Sequence, residues 1–270
     1  MNRRYLKDRL RLYLAVAPYL FCRFLLPGIH ARNRGKTRVL VFHHLDEPDL
    51  FERAVRAISR RYHLISFEQY LRGQKASDRI NIILAFDDGY HSWFTHGLPV
   101  FQKYNVHPLF FINSDFIGLA EEEAKRYCRE AIGTWPEAGL AWKELKALAA
   151  QGEVGGHGRG HRDLSAIVDE SAIMELMASD RVAIESATGA PARCFAYPFG
   201  RYSAIASASA EKAGYAYAFT SDSGFLEDSA SPFLLKRTNL GMRPPPVALA
   251  VIEGWGDRIS AAMRLLKRYL

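Results

Sequence analysis

Residues 80–89 read Ile-Asn-Ile-Ile-Leu-Ala-Phe-Asp-Asp-Gly. Six of the first seven are apolar, a run typical of a strand that is buried on both faces of a parallel sheet. Asp87 and Asp88 leave the end of this strand side by side, and adjacent carboxylates repel each other unless a cation lies close by. The stretch therefore predicts a buried strand that ends at a functional site, with a solvated Asp-Gly turn as the alternative.

Strand and helix patterns alternate on both sides of this stretch. Further strands are predicted at residues 37–42, 108–112, 153–156, 194–198 and 216–220. Helical spacing of apolar residues predicts helices at 50–61, 98–104, 142–151, 171–188, 204–213 and 259–269. Strands that alternate with helices over short connections indicate a parallel sheet with crossover helices, so the predicted fold class is α/β.

Polar residues follow the carboxyl ends of several predicted strands, where parallel α/β proteins build their active sites. These residues are His43, Asp87, Asp88, His157 and His161. Because several strands contribute to one rim, the pattern favours a barrel in which these side chains converge.

His157 and His161 lie four residues apart among glycines. Imidazole is the commonest neutral metal ligand, and two histidines with one carboxylate are a known set for a catalytic divalent ion. The glycines indicate a loop that passes close to another group. A pair of surface histidines is the alternative interpretation.

Three motifs resemble, in order and in spacing, those of the polysaccharide deacetylase (NodB-homology) family. They are LAFDDGY at 84–90, Trp142 with GEVGGHGRGHRDL at 152–164, and FAYPFG at 195–200. The resemblance covers about residues 37–240. It implies a NodB-like, distorted (β/α) barrel, expected to have seven strands, and metal-assisted hydrolysis of an N-acetyl group on an amino sugar.

The resemblance also implies a role for each motif residue. Asp88, His157 and His161 would bind a divalent metal ion, with Zn²⁺ expected. Asp87 would be the general base for a water molecule that the ion makes more acidic. The backbone N–H of Phe199 would help to bind the oxyanion of the tetrahedral intermediate.

Three features of the sequence depart from the family pattern. Gly158 stands where most members have Ser or Thr after the first metal histidine, which removes one supporting hydrogen bond. Ala196 and Tyr197 stand where many members have an arginine that steadies the base, and Arg237 is a candidate to replace it. No histidine follows His161, so the usual late general acid is missing.

His43 is the candidate for the missing acid. Residues 39–43 resemble the aromatic-His sequence at the first strand of a branch in which the acid motif is permuted to the start of the chain. Strand alternation would point the neighbouring His44 elsewhere. The alternative is that His43 is a buried structural histidine.

Both ends of the chain are basic and amphipathic. Ten of the first 38 residues are Lys or Arg against one acid, and the last fourteen carry four against one. The longest uncharged run near the start, Leu12–Cys22, has eleven residues and is too short to span a bilayer. We expect three parts: residues 1–35 as a membrane-surface anchor, 36–245 as the deacetylase domain, and 246–270 as an amphipathic helix. A packed N-terminal helix is the alternative.

These features predict a cytoplasmic enzyme on the inner face of the membrane, and three widely spaced cysteines fit a reducing compartment. Its substrate would be an amino-sugar-containing glycan or a lipid-linked saccharide. A deformylase of a lipid-linked aminosugar and an inactive glycan-binding homologue are the alternatives. No nucleic acid is expected as a partner, because nucleic-acid binding would leave the Asp and His residues unexplained.

Overall fold

A computed structural model describes residues 31–134, 136–227, 231–240, 245–254 and 257. The strands are β1 (Thr37–Phe42), β2 (His63–Leu64), β3 (Asn81–Asp88), β4 (Leu109–Ile112), β5 (Glu153–Gly156), β6 (Cys194–Ala196), β7 (Tyr217–Phe219) and β8 (Thr238–Asn239). The α-helices are α1 (Pro48–Arg61), α2 (Phe67–Leu71), α3 (Leu98–Tyr104), α4 (Glu121–Tyr127), α5 (Trp142–Ala149), α6 (Glu170–Thr188), α7 (Ala204–Lys212) and α8 (Pro245–Ile252).

The sheet is parallel, with seven strands in the order β7-β6-β5-β4-β3-β1-β8, while the short β2 pairs with the start of β3. Residues 235–240 connect the two ends of this strand order, because they hydrogen-bond to β7 and to β1. The Leu235 N–H donates to the Ala218 carbonyl at 2.9 Å, and the Leu240 N–H donates to the Val41 carbonyl at 3.1 Å. The sheet therefore curls into a distorted barrel, which confirms the predicted α/β class and the (β/α) barrel.

Strand alternation divides the core into two layers. Val39, Val41, Ile83 and Ala85 belong to one buried apolar cluster, while the even-numbered residues between them pack with the helices in a larger cluster. Successive side chains of a strand point to opposite faces. The odd-numbered series on β3 therefore leads directly to Asp87.

The predicted strands, and the predicted helices that fall within the described residues, are present with bounds that differ by a few residues. β3 continues through both aspartates instead of ending at Phe86. The segment between β4 and α5 also contains α4 and a one-turn π-helix, Cys128–Ile132. These two elements were not predicted, although Ala124, Cys128 and Ile132 recur at helical spacing and are buried in the core.

The last described residues pack against the amino end of β1. The buried Arg38 guanidinium donates to Thr238 Oγ1 at 2.7 Å and forms an ion pair with Asp257. The buried Glu253 forms an ion pair with Arg61 at 2.5 Å. Residues 1–30 of the anchor predicted at 1–35, and the helix predicted at 259–269, lie outside the described residues. Within the described ranges, no helix is both long enough and apolar enough to cross a bilayer.

Candidate metal and catalytic site

A cavity of about 280 Å³ opens at the carboxyl ends of the strands. All the residues predicted from the sequence to form the site line this cavity. The lining residues are Val41, His43, Asp87, Asp88, Ile132, Thr134, His157, His161, Phe199, Gly200, Ser221, Arg237 and Asn239.

Asp88, His157 and His161 form a compact, buried group in this cavity. One ligand atom from each lies within 4.8 Å of the others. Asp88 Oδ1 is 3.5 Å from His157 Nε2 and 3.3 Å from His161 Nε2. Three donor atoms at these separations can share one small cation.

The surrounding backbone orients both imidazole rings. His157 Nδ1 lies 2.7 Å from the Ala196 carbonyl oxygen, and His161 Nδ1 lies 3.2 Å from the Ala131 carbonyl oxygen. Because a carbonyl only accepts, each Nδ1 must carry the hydrogen, which leaves the Nε2 lone pair facing Asp88. Burial lowers the pKa of His157 to about 3 and also lowers the pKa of His161, so both rings are neutral as metal ligands require.

The Asp88 carboxylate lacks the partners that a buried charge needs. Both of its oxygens are buried without a hydrogen-bond partner among the described residues. Burial, partly offset by His43 and reinforced by the adjacent Asp87 charge, raises the pKa of Asp88 to about 6. Buried polar atoms are normally satisfied, so two orphaned oxygens beside two imidazole lone pairs fit a divalent cation.

Asp87 forms a buried ion pair with Arg237. Arg237 Nη1 donates to Asp87 Oδ1 at 2.6 Å, and Arg237 Nε donates to the Thr220 carbonyl at 3.0 Å. Burial acts to raise the pKa of Asp87, but the Arg237 charge and hydrogen bond, with His157 and His43, hold it below its usual range. Arg237 therefore occupies the position beside the carboxylate that the sequence suggested for it.

His43 and His44 point in different directions, as strand alternation predicts. His43 lines the cavity, while its carbonyl accepts a hydrogen bond from Trp93 Nε1 at 2.6 Å. His44 instead lies 3.7 Å from Asp46 and contacts the ring of Tyr90 edge-on. The role of His43 as general acid stays a prediction.

Strained backbone is concentrated at this cavity. Of the four non-glycine residues with positive φ in the described ranges, three line it: Asp88 (91°), His161 (47°) and Phe199 (57°). Such conformations are costly for residues with a Cβ and persist where the surrounding structure imposes them. The Phe199 ring lies 4.4 Å from the His161 ring and is 47% exposed at the mouth of the cavity.

The sequence interpretation missed one buried residue that contacts the histidine loop. Asp180 on α6 is fully buried and accepts hydrogen bonds from the backbone N–H groups of Ser114, His157 and Gly158. A signal was present, because Asp180 falls on the buried face of α6 with Ile173, Met177 and Ile184. An acid in an apolar stripe requires a polar partner from another element.

Comparison with known proteins gives the family and the fold. The model of the family described as polysaccharide deacetylase matches residues 74–218, more than half of the 270-residue chain. No curated protein matches the sequence.

Two solved structures illustrate the shared fold. The Streptococcus pyogenes deacetylase PplD in complex with acetate has a TM-score of 0.65 at 18% identity, over 79% of this chain and 96% of that one. IcaB from Ammonifex degensii has a TM-score of 0.66 at 18% identity, over 83% of this chain and 97% of that one.

Proposed function

The chain belongs to the polysaccharide deacetylase family, and from that premise we propose that it is a metal-dependent hydrolase that removes an N-acetyl group from an amino sugar. The substrate would be a glycan or a lipid-linked saccharide. The proposal is carried by one observation, namely the orphaned Asp88 carboxylate, which lies between two neutral histidines and beside the Asp87–Arg237 ion pair.

Asp88, His157 and His161 would hold a divalent ion, for which Zn²⁺ is our first expectation because imidazole and carboxylate ligands both suit it. When bound, such an ion lowers the pKa of a water molecule and polarises the acyl oxygen. Asp87, Asp88, His157 and His161 are buried, so their charges and dipoles interact more strongly than those of exposed groups.

The remaining residues would move the protons. Asp87, kept ionised by Arg237, would accept a proton from the attacking water. The Phe199 N–H would donate a hydrogen bond to the oxygen that gains negative charge. His43 would protonate the nitrogen as the C–N bond breaks, because an amine leaves poorly without a proton. The products are acetate and the free amino sugar.

We propose that the enzyme acts in the cytoplasm, peripherally on the inner face of the membrane. The basic ends of the chain support this location, since ten of the first 38 residues are Lys or Arg. An anionic surface would attract such a segment and bring the enzyme near a lipid-carried substrate.

The first experiment measures the metal content of wild type, Asp88→Asn and His157→Ala by mass spectrometry, with His107→Ala as the control. His107 is an exposed histidine that does not line the cavity. We expect one equivalent of a divalent ion in wild type and His107→Ala, and none in the other two. Because burial disfavours the charged form of Asp88, the asparagine variant should still fold. A wild type that takes up neither zinc nor cobalt would overturn the proposal in favour of a glycan-binding homologue.

Analysis of the reaction products then tests which acyl group is removed and whether His43 is the general acid. Metal-loaded protein is incubated with N-acetylated and with N-formylated glucosamine oligomers, and acetate and formate are measured. Release of acetate supports the proposal, while release of formate alone supports a deformylase. His43→Ala should lose turnover but keep its metal, and His44→Ala, its neighbour, should keep both.

A further inference from the structure

Helix α6 presents a carboxylate to the interior of the protein. Its buried residues are Ile173, Met177, Asp180 and Ile184, and Asp180 is fully inaccessible to solvent. Among the described residues, no Lys or Arg side chain forms an ion pair with Asp180. A buried carboxylate without a cation depends on hydrogen bonds for its stability.

Those hydrogen bonds come from two neighbouring strand ends. Asp180 Oδ1 accepts from the Ser114 N–H, two residues beyond β4, at 2.9 Å. Directly beyond β5, Asp180 Oδ2 accepts from the Gly158 N–H at 2.8 Å and from the His157 N–H at 2.9 Å. The His157 N–H is shared with the Ile112 carbonyl of β4, to which it donates at 2.7 Å. The Asp180 side chain of α6 therefore binds the backbone of His157, a predicted metal ligand.

The glycines of this loop allow the carboxylate to approach. A Cβ on Gly156 would lie 2.9 Å from Asp180 Oδ2 and 2.2 Å from Tyr215 Oη. Gly158 has a φ of 75°, a conformation that glycine adopts without strain. The glycines predicted a close approach to another group. At Gly156 that group is the Asp180 carboxylate together with the Tyr215 hydroxyl.

We propose that Asp180 is a positioning residue that sets the metal affinity of the cavity, an inference that rests on the proposed function. The His157 ring is held at Nδ1 by the Ala196 carbonyl, and Asp180 holds the backbone of the same residue. These two contacts keep Nε2 aimed at Asp88. The Asp180 contact supplies from α6 the support that Ser or Thr at position 158 would otherwise give.

The test compares zinc affinity in Asp180→Asn with that in Asp169→Ala, using a competing chromophoric chelator. Asp169 caps the start of the same helix and accepts from the Ser171 and Ala172 N–H groups, so its loss weakens α6 without touching the loop. We expect Asp180→Asn to raise the zinc dissociation constant about 10- to 100-fold, the usual range for groups that orient metal ligands. Asp169→Ala should leave it unchanged.

Equal zinc affinity in wild type and Asp180→Asn would overturn the inference and leave the proposed function intact. A wild type that binds no zinc would instead overturn the proposed function. If Asp180→Asn does not fold, hydrogen exchange on the metal-free wild type decides. The amides of Ser114 and Gly158, for which Asp180 is the acceptor, should then be among the slowest to exchange, and rapid exchange at either would contradict the inference.

Discussion

The ion pair between Asp87 and Arg237 joins residues 150 positions apart in the chain. Both side chains are almost fully buried, and the Arg237 guanidinium also lies 5.0 Å from the centre of the Phe111 ring. In such surroundings an unpaired carboxylate would take up a proton, because burial disfavours its charged form. Arg237 would therefore determine whether Asp87, the proposed general base, is ionised at neutral pH.

Replacement of Arg237 should change the pH dependence of the reaction. In Arg237→Met the charge that lowers the pKa of Asp87 is gone, while the burial that raises it remains. The base then stays protonated to higher pH, so the acid limb of kcat/KM should move upward by about 1 to 3 pH units. The measurement is the pH profile of acetate release by metal-loaded enzyme.

Arg201→Met is the matched control for this prediction. Arg201 is an exposed arginine near the mouth of the cavity, and it pairs with Asp163 instead of Asp87. Its loss removes the same charge and should leave the acid limb in place. An acid limb that does not move in Arg237→Met would show that another group is the base.

At the scale of elements, the end of β5 is packed too closely to accept a side chain. Gly155 lies against the Cys194 carbonyl, and a Cβ there would be 2.3 Å from that oxygen. At Gly156 the nearest atom is the hydroxyl of Tyr215, which donates to the Met177 carbonyl at 3.1 Å. These glycines allow β5 to pack between β6 and α6, which brings His157 into the cavity.

Gly156→Ala should therefore destabilise the protein by about 1 to 3 kcal/mol, the usual cost of overpacking a core. Because the closest contact is the Tyr215 hydroxyl, Tyr215→Phe should relieve part of that cost. We expect the double variant to be more stable than the sum of the two single effects predicts. Chemical unfolding of the four proteins without metal measures this coupling, and strict additivity would contradict the steric explanation.

At the scale of the whole molecule, the cavity and a group of exposed arginines lie at opposite ends of the sheet. We call this group the basic end: Arg32, Arg34, Arg60 and Arg79. Backbone and side-chain contacts hold its segments together, since the Gly35 N–H donates to the Arg79 carbonyl and Asn33 donates to the Glu253 carbonyl, each at 3.0 Å. The first described residue, Ala31, also lies at this end, shortly before the start of β1.

Deletion of residues 1–30 should abolish or strongly reduce binding to anionic vesicles. The physical reason is the loss of basic and apolar residues that an anionic interface attracts. Flotation with vesicles of phosphatidylglycerol and phosphatidylcholine measures binding, and added salt should weaken it.

Charge reversal at the two ends of the sheet provides the control for flotation. In the full chain, charge reversal at Arg32, Arg34, Arg60 and Arg79 should also reduce binding to anionic vesicles. Charge reversal on the cavity side, at Arg159, Arg162 and Arg201, should leave binding unchanged. Unchanged flotation after the deletion would exclude residues 1–30 as the anchor.

The sequence by itself determined the parallel α/β arrangement, the approximate positions of the strands and most of the cavity residues. Apolar periodicity is a local property, so the run at 80–86 and the glycine after α6 could be interpreted without knowledge of the rest of the chain. Strand alternation likewise separated His43 from His44.

Only the tertiary structure decided which distant groups support these residues. Arg237 reaches Asp87 because the chain after β7 closes the barrel, and Asp180 reaches the His157 loop because α6 packs against β5. The positive φ of Asp88, His161 and Phe199 is likewise imposed by surrounding contacts. Sequence periodicity determines which face of an element is buried, but the partner of a buried charge depends on contacts between segments far apart in the chain.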